Sequence, residues 1–420
     1  MDKLMIQGGN RLFGNIDISG MKNSALPIIF GTIAANGVCV IENLPDVSDI
    51  SLALETLRSI GAKIRFINTD TVIIDTSTVT EKSPPLEYVG KIRGSTYLIG
   101  AMLGRFGKAQ VGNPGGCDFG TRPIDLHIKG FERLGARVSY EGDATIYVST
   151  FGEPLRGNVI YLDIASVGAT INIMLAAVYA EGETVIENAA REPHIVDTAC
   201  FLNACGADIS GAGTSMIRIR GVRSLKGCTY SIAPDMIEAG TYMVAAAAAG
   251  GEVTVDRIIP KHLEAISIKL REMGVSVTEG DCSLTVASKG IFRATNIKTN
   301  PYPGFPTDMQ PQFGAMLCLA NGLSTVSEGI WSKRFKYTDE LRKMGAIIDI
   351  IDNTAHISGV RRLKGAQVKA SDLRAGAALV IAGLCAEGQT VITGGVEYID
   401  RGYENFVDKL RSVGADIRRI

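Results

Sequence analysis

The chain has 420 residues, with 43 Lys and Arg against 44 Asp and Glu and only four His, a length that predicts about two or three domains at roughly 100–200 residues each. An apolar share of 46% and a charged share of 21% are ordinary for a globular chain and exclude disorder as its main theme. A formal net charge of −1 excludes a global attraction to nucleic acid or an anionic membrane, so any anion site must be local.

The opening MDKLMIQGGNRLFG carries no signal-peptide core. Residues 5–19 read as a strand pair with a Gly-rich join. Gly20-Met21-Lys22-Asn23-Ser24-Ala25-Leu26-Pro27 follows, where a strand ends and a helix begins. A lysine near a helix N-terminus is an anion-binding arrangement, although a polar surface loop would read the same way.

From here the parts recur. A helix end, a Gly and a short alternating strand appear at Gly61, Gly135, Gly206, Gly274, Gly345 and Gly414. Glycine after a helix is the usual left-handed terminator. A second element precedes each, with Gly37, Gly107, Gly182, Gly251, Gly322 and Gly388, after Ala/Leu/Met-rich segments long enough for buried helices. The strand pair recurs at 217–232 and 356–370, and more weakly near 72–92, 146–164 and 284–299. Units of about 70 residues are too long for a solenoid and suit a small βαβαββ subdomain.

The last Gly-Ala strand has no strand pair after it, and the first strand pair has no helix before it. The simplest closure lets the N-terminal strands complete the C-terminal domain. Two α/β domains of three repeats each are expected, residues 22–233 and residues 1–21 with 234–420, with the active site in the cleft between them. Two chain crossings suit hinge closure around a ligand.

Gly112 to Pro123 holds four Gly and two Pro and predicts a long irregular lid loop. Cys117 sits at its centre with Arg122 nearby, and a neighbouring cation makes a thiol reactive. The other seven cysteines, with no CxxC among them, read as small apolar fillers of a reduced, cytoplasmic chain. In Phe305-Pro306-Thr307-Asp308-Met309-Gln310, Asp308 is either a helix N-cap or a general base. Arg93, Arg334, Arg374 and Arg401 lie at loop or helix starts, as if converging on an anion.

Absences narrow the class. There is no GxxxxGK[ST], no GxGxxG opening a strand–helix turn and no GxSxG. His127, His194, His262 and His356 show no metal-ligand spacing. An aromatic share of 6% argues against a base-stacking surface. No run of about 20 apolar residues predicts a membrane span.

Taken together, GMKNSALP, GGCDFGTRPIDLH, SVGAT, ENAAREP, FPTDMQ, SDLRAG and IDRGYE closely resemble the cell-wall enolpyruvyl transferase family over essentially the whole chain. The resemblance implies an α/β fold of two inverted α/β barrel domains with six repeats. It implies transfer of the enolpyruvyl group of phosphoenolpyruvate to the 3′-hydroxyl of UDP-N-acetylglucosamine, with loss of phosphate. By resemblance, Cys117 is the lid thiol, the general acid or an aid to product release, and the position fosfomycin alkylates. Asp308 looks like the base near the sugar hydroxyl or the proton shuttle, and with Asn23 it would hold the sugar. Lys22, Arg122 and Arg401 look like the phosphate clamp, and Arg334 and Arg374 like partners of the carboxylate.

Arg93, Pro123, Asp125, Leu126, Ser166, Val167, Gly168 and Ile330 match positions lining the nucleotide and sugar site. Asp372 matches an acidic residue near the active site. The chain departs from many members at Met21, Ser48, Asp118 and Ile164. No metal or organic cofactor, no nucleic acid and no membrane insertion are expected, and the chain is expected to be a monomer. The sister reaction on shikimate 3-phosphate and a non-catalytic sugar-nucleotide-binding paralogue remain as alternatives. The Cys117 loop argues against the first, and the retained acid–base set against the second.

Overall fold

The computed structural model describes residues 2–112, 123–141 and 145–420. Cys117, Arg122 and the rest of 113–122 lie outside the described residues. The chain divides into two compact units. Unit one comprises residues 2–19 with Pro234–Ile420, and unit two residues 20–112 with 123–233.

The six Gly terminators share one geometry. Gly61, Gly135, Gly206, Gly274, Gly345 and Gly414 have φ of 109°, 97°, 103°, 88°, 93° and 100°. After the Ser48–Ser59 helix, Gly61 N–H donates to Arg58 O and Ala62 N–H to Leu57 O, each at 3.0 Å. The other five repeat this pair of bonds, so each helix closes its last carbonyls and turns the chain into the next strand. In the second element the first repeat differs from the other five, whose glycines all have positive φ. There Asn36 takes the left-handed turn, with φ 46° and ψ 50°, and Gly37 instead lies against Gly227. Asn tolerates that conformation because its short side chain bonds locally.

Each sheet is amphipathic, and the sheets correct the expected strand pairs. The strands on either side of each Gly-rich join do not pair with each other. Leu4–Gln7 lies between Gln389–Ile392 and Asp416–Arg419, antiparallel to both. Leu12–Asp17 runs parallel to Gly251–Asp256 in another sheet. Met216–Arg220 pairs with Glu183–Glu187, whereas Thr229–Ser231 pairs in parallel with Val38–Glu42. The Gly-rich joins therefore carry the chain from sheet to sheet. In the weak copy near 72–92 the second strand is replaced by a short helix, Leu86–Val89. Among the described residues, the sheet of Lys108–Gly112, Thr145–Ser149 and Arg137–Glu141 accordingly has three strands, and the other five sheets have four.

Among the described residues, three mostly buried helices stand in each unit. In unit two they are Lys22–Ala35, Tyr97–Phe106 and Val167–Ala177; in unit one, Met236–Ala249, Gln310–Leu317 and Leu373–Cys385. Helices apolar all round belong in an interior. They pack on one another in each unit, and strands such as Leu323–Ser327 alternate exposed and buried positions around them. Their N-termini position the polar side chains described next. Among the described residues, no helix is long and apolar enough to cross a membrane.

Candidate active site

In unit one, Thr307–Met309 forms a single 3-10 turn ahead of the Gln310–Leu317 helix. Asp308 is not a helix cap: the residue before the turn is Pro306, and no side chain caps it. The Asp308 carboxylate instead receives two arginines. Arg334 Nη2 donates to Oδ1 at 2.9 Å, and Arg374 Nε and Nη2 donate to Oδ2 at 3.2 and 3.0 Å. Both arginines are 3% exposed. Charge-assisted bonds from planar guanidiniums hold the carboxylate in one orientation.

Arg374 owes its direction to Asp372. That residue is extended, with φ −166° and ψ 174°, and its buried carboxylate accepts from Arg374 N and Ala375 N, each at 3.0 Å. It caps the Leu373–Cys385 helix, satisfying orphan amides and fixing where the helix begins. The Arg374 guanidinium lies 5.2 Å from the Tyr403 ring centroid. Burial alone would lower its pKa, but Tyr403, Asp308 and Asp235 outweigh burial and raise it. Arg374 Nη1 is buried and meets no hydrogen-bond acceptor among the described residues. Tyr403 Oη also meets Thr241 Oγ1 at 2.9 Å and accepts from Gln312 Nε2 at 3.2 Å, which ties the segment carrying Arg401 to this group.

Glu328, 4% exposed, organises the other side. Its Oε1 accepts from Thr299 Oγ1 at 2.7 Å, Ile330 N at 2.8 Å and Trp331 N at 3.2 Å. Its Oε2 accepts from Thr307 Oγ1 at 2.9 Å. One buried carboxylate thus fixes both the turn bearing Ile330 and the residue next to Asp308, and its charge is met by four donors.

In unit two, Lys22 is the first residue of its helix, and its Nζ lies 3.2 Å from Asp49 Oδ2. A second group centres on His127, which is 5% exposed. The Asn172 side chain accepts from Gly100 N at 2.9 Å, donates to Thr96 O at 2.9 Å and meets His127 Nδ1 at 2.8 Å. With its oxygen taken, the amide nitrogen donates to both Thr96 and His127. His127 Nδ1 is then an acceptor and the proton sits on Nε2. Burial, and then the Arg93 charge, push the His127 pKa down to about 3. The ring packs on Gly168, where an added Cβ would come within 2.9 Å of Cε1 and Nε2.

Arg93 opens the Arg93–Thr96 turn, Asp125 and Leu126 start the Asp125–Arg133 helix, and Ser166 caps Val167–Ala177 by accepting from Ala169 N at 3.3 Å. The Lys22 helix adjoins this group through Leu26, against which Gly94 packs.

A family model described as EPSP synthase (3-phosphoshikimate 1-carboxyvinyltransferase) matches residues 6–410. The chain belongs to this family of enolpyruvyl transferases. It is 56% identical over 421 residues, covering all of both chains, to a protein of Clostridium botulinum named UDP-N-acetylglucosamine 1-carboxyvinyltransferase. It is 55% identical to a Geobacillus kaustophilus protein named UDP-N-acetylglucosamine 1-carboxyvinyltransferase 2, covering all of this chain and 97% of that one. Among solved structures, the enolpyruvyl transferase NikO from Streptomyces tendae matches with a TM-score of 0.89 at 26% identity, over 100% of this chain and 99% of that one. EPSP synthase from Acinetobacter baumannii, at 21% identity with both chains fully covered, matches in fold with a TM-score of 0.75. The fold is the two-domain α/β fold of these enzymes.

Within this enolpyruvyl transferase the motif residues fall into three groups. Asp308, Ile330, Arg334, Asp372 and Arg374 come together in unit one, with Arg401 in the turn after Val396–Ile399. In unit two the Arg93 charge and Gly168 lie by the His127 ring; Asp125 and Leu126 precede His127 in its helix, and Ser166 and Val167 precede Gly168. Lys22 and the half-buried Asn23 start their own helix. Pro123 is exposed at the edge of the described residues.

Sequence reasoning missed Glu328, Tyr403 and the role of His127 with Asn172. Only an acidic residue at a strand end pointed to Glu328. An isolated His on an amphipathic helix gave no sign that its ring rests on a glycine 41 positions later.

Proposed function

We propose that the protein transfers the enolpyruvyl group of phosphoenolpyruvate to the 3′-hydroxyl of UDP-N-acetylglucosamine, releasing phosphate. The full-length identity of 56% to a relative bearing that name carries the reading. The buried arginine pair on Asp308 supports it. The chemistry needs an acid for C3 of phosphoenolpyruvate, a base for the sugar hydroxyl, and cations for phosphate and carboxylate. The hydroxyl oxygen bonds to C2 as C3 gains a proton, giving a tetrahedral ketal phosphate. That intermediate then loses phosphate and a C3 proton to restore the enol ether.

In this reading Asp308 takes or shuttles the proton, 30% exposed and fixed by two guanidiniums. Arg334 and Arg374, both buried, serve the substrate carboxylate. Lys22, Arg122 and Arg401 hold phosphate, and Cys117 is the general acid or aids release. The preset group of His127, Asn172 and Gly168, with Arg93 as its cation, lines the sugar nucleotide site. The activity belongs to cytoplasmic peptidoglycan precursor synthesis, needs no metal or organic cofactor, acts as a monomer and is blocked by fosfomycin at Cys117.

The test is phosphate release from phosphoenolpyruvate with either UDP-N-acetylglucosamine or shikimate 3-phosphate present. Release with the sugar nucleotide alone is expected. Release with shikimate 3-phosphate alone would overturn the acceptor. Sugar-nucleotide binding without release would overturn catalysis.

A further inference from the structure

Three cysteines far apart in sequence meet in unit two. Cys39 lies in the Val38–Glu42 strand, Cys205 is the C-cap of the Pro193–Ala204 helix, and Cys228 precedes the Thr229–Ser231 strand. Their sulfurs all lie within 4.8 Å of one another, and Cys205 Sγ is 3.4 Å from Cys228 Sγ. Cys39 and Cys205 are buried and Cys228 is half-buried. We propose that these three thiols form a site for one soft d10 cation, Zn(II) or Cu(I).

Three observations carry it. The first is distance. Three sulfurs each about 2.3 Å from one ion stand about 3.8–4.0 Å apart; the Cys205–Cys228 pair, at 3.4 Å, is slightly closer than that, and no pair is farther apart than 4.8 Å.

The second is preorganisation by backbone. Val40 N donates to Cys228 O at 2.9 Å, and Lys226 N to Cys205 O at 2.8 Å. The three segments are therefore held together before any ion arrives, so little chain ordering opposes binding.

The third is polarity. Cys205 stands at a helix C-terminus, whose carbonyl dipoles favour a cation. An all-sulfur donor set selects soft cations over Mg(II), Ca(II) or Mn(II). Each thiol releases its proton to solvent as its sulfur coordinates, and no electron changes hands. Among the described residues, no other group of three His, Cys, Asp or Glu side chains meets the same distance criterion.

The site is separate from Lys22. The Lys22–Ala35 helix puts Lys22 at one end, and Cys39 follows the other end, about 20 Å away at 1.5 Å per residue. The cation would tie together a strand, a helix end and a crossing strand, which points to a structural role.

The test uses the full chain, reduced with a phosphine and stripped of metal. Cd(II), a spectroscopic stand-in for Zn(II), is titrated while sulfur-to-cadmium charge-transfer absorption is followed, and X-ray absorption counts sulfur neighbours. Three sulfurs per bound ion are expected. Cys39→Ser should weaken binding at least about tenfold, whereas Cys200→Ser and Cys282→Ser, at exposed thiols, should leave it unchanged. Fewer than three sulfurs on the wild-type chain, a count that needs no variant to fold, would overturn the proposal. So would unchanged binding by a folded Cys39→Ser protein.

Discussion

Arg374 donates from both Nε and Nη2 to a single oxygen of Asp308, at 3.2 and 3.0 Å. The other oxygen belongs to Arg334. The carboxylate is thus oriented from two directions by buried cations that come from different elements. A group so fixed meets its proton at a defined angle, which is what acid–base catalysis needs.

Replacing that carboxylate should separate catalysis from folding. Asp308→Asn keeps the shape but turns an acceptor into a donor facing a guanidinium. We expect kcat to fall by about 10²–10⁴, with a smaller change in KM for the sugar nucleotide. Asp308→Ala should also lower stability by about 1–3 kcal/mol, because two buried guanidiniums lose their acceptor. Phosphate-release kinetics and denaturant melts measure both. Wild-type kcat in Asp308→Asn would remove the residue from the chemistry.

Glu328 acts through its neighbours, so its variants should show a different pattern. Glu328→Gln keeps one carbonyl oxygen for Ile330 N and Trp331 N and lets its amide face Thr307. A loss of about 1 kcal/mol is expected. Glu328→Ala leaves those donors buried and unpaired, at about 2–3 kcal/mol, and should raise KM for the sugar nucleotide more than it lowers kcat. Rescue of KM in the Gln variant marks positioning. Equal loss of kcat in both would instead place Glu328 in the chemistry.

His127 makes stability depend on pH in one direction. Its folded pKa of about 3 lies below its ordinary value of 6.5, so between them the unfolded chain binds more protons. Stability from the buried neutral ring is complete above about pH 6.5 and is lost as pH falls toward 3. The slope is at most about 1.4 kcal/mol per pH unit. Urea midpoints measured across this window should fall more steeply for wild type than for His127→Gln. Parallel curves would show that the ring does not titrate on unfolding.

The helix terminators differ in cost. Gly206 and Gly61 both have φ near 100°, but a Cβ on Gly206 meets open space, whereas one on Gly61 would approach Thr78 O to 2.6 Å. Gly206→Ala should cost about 1 kcal/mol from backbone strain alone. Gly61→Ala should cost clearly more, since the obstacle is backbone. Thermal melts of the two variants decide it, and equal shifts would mean that Thr78 gives way freely.

Much of this protein is legible locally. The six Gly terminators, the buried helices and the strand positions follow from conformational preference and apolar periodicity within a few residues. The motifs around Lys22, Arg374 and Arg401 are legible as chemistry, because a cation near a helix start opposes the helix dipole unless an anion is bound there. The second strand of the weak 72–92 copy was not legible. Pro84 and Pro85 stand at the start of that segment, and a short helix takes its place.

By itself the sequence determined the repeats, their helices and turns, the side chains that carry charge and the family to which they belong. Those depend on stereochemistry and residue type, which act over short stretches. The repeat count pointed the N-terminal strands to the C-terminal domain, but only the tertiary structure decided which strands flank Leu4–Gln7, and that the strands beside each Gly-rich join part into different sheets. It likewise decided that Asp308 meets two arginines, that His127 rests on Gly168, and that three cysteines converge. Strand edges offer the same hydrogen bonds to any partner, and buried charges take whichever counter-charge the packing brings near. These choices rest on long-range contacts that no local pattern encodes.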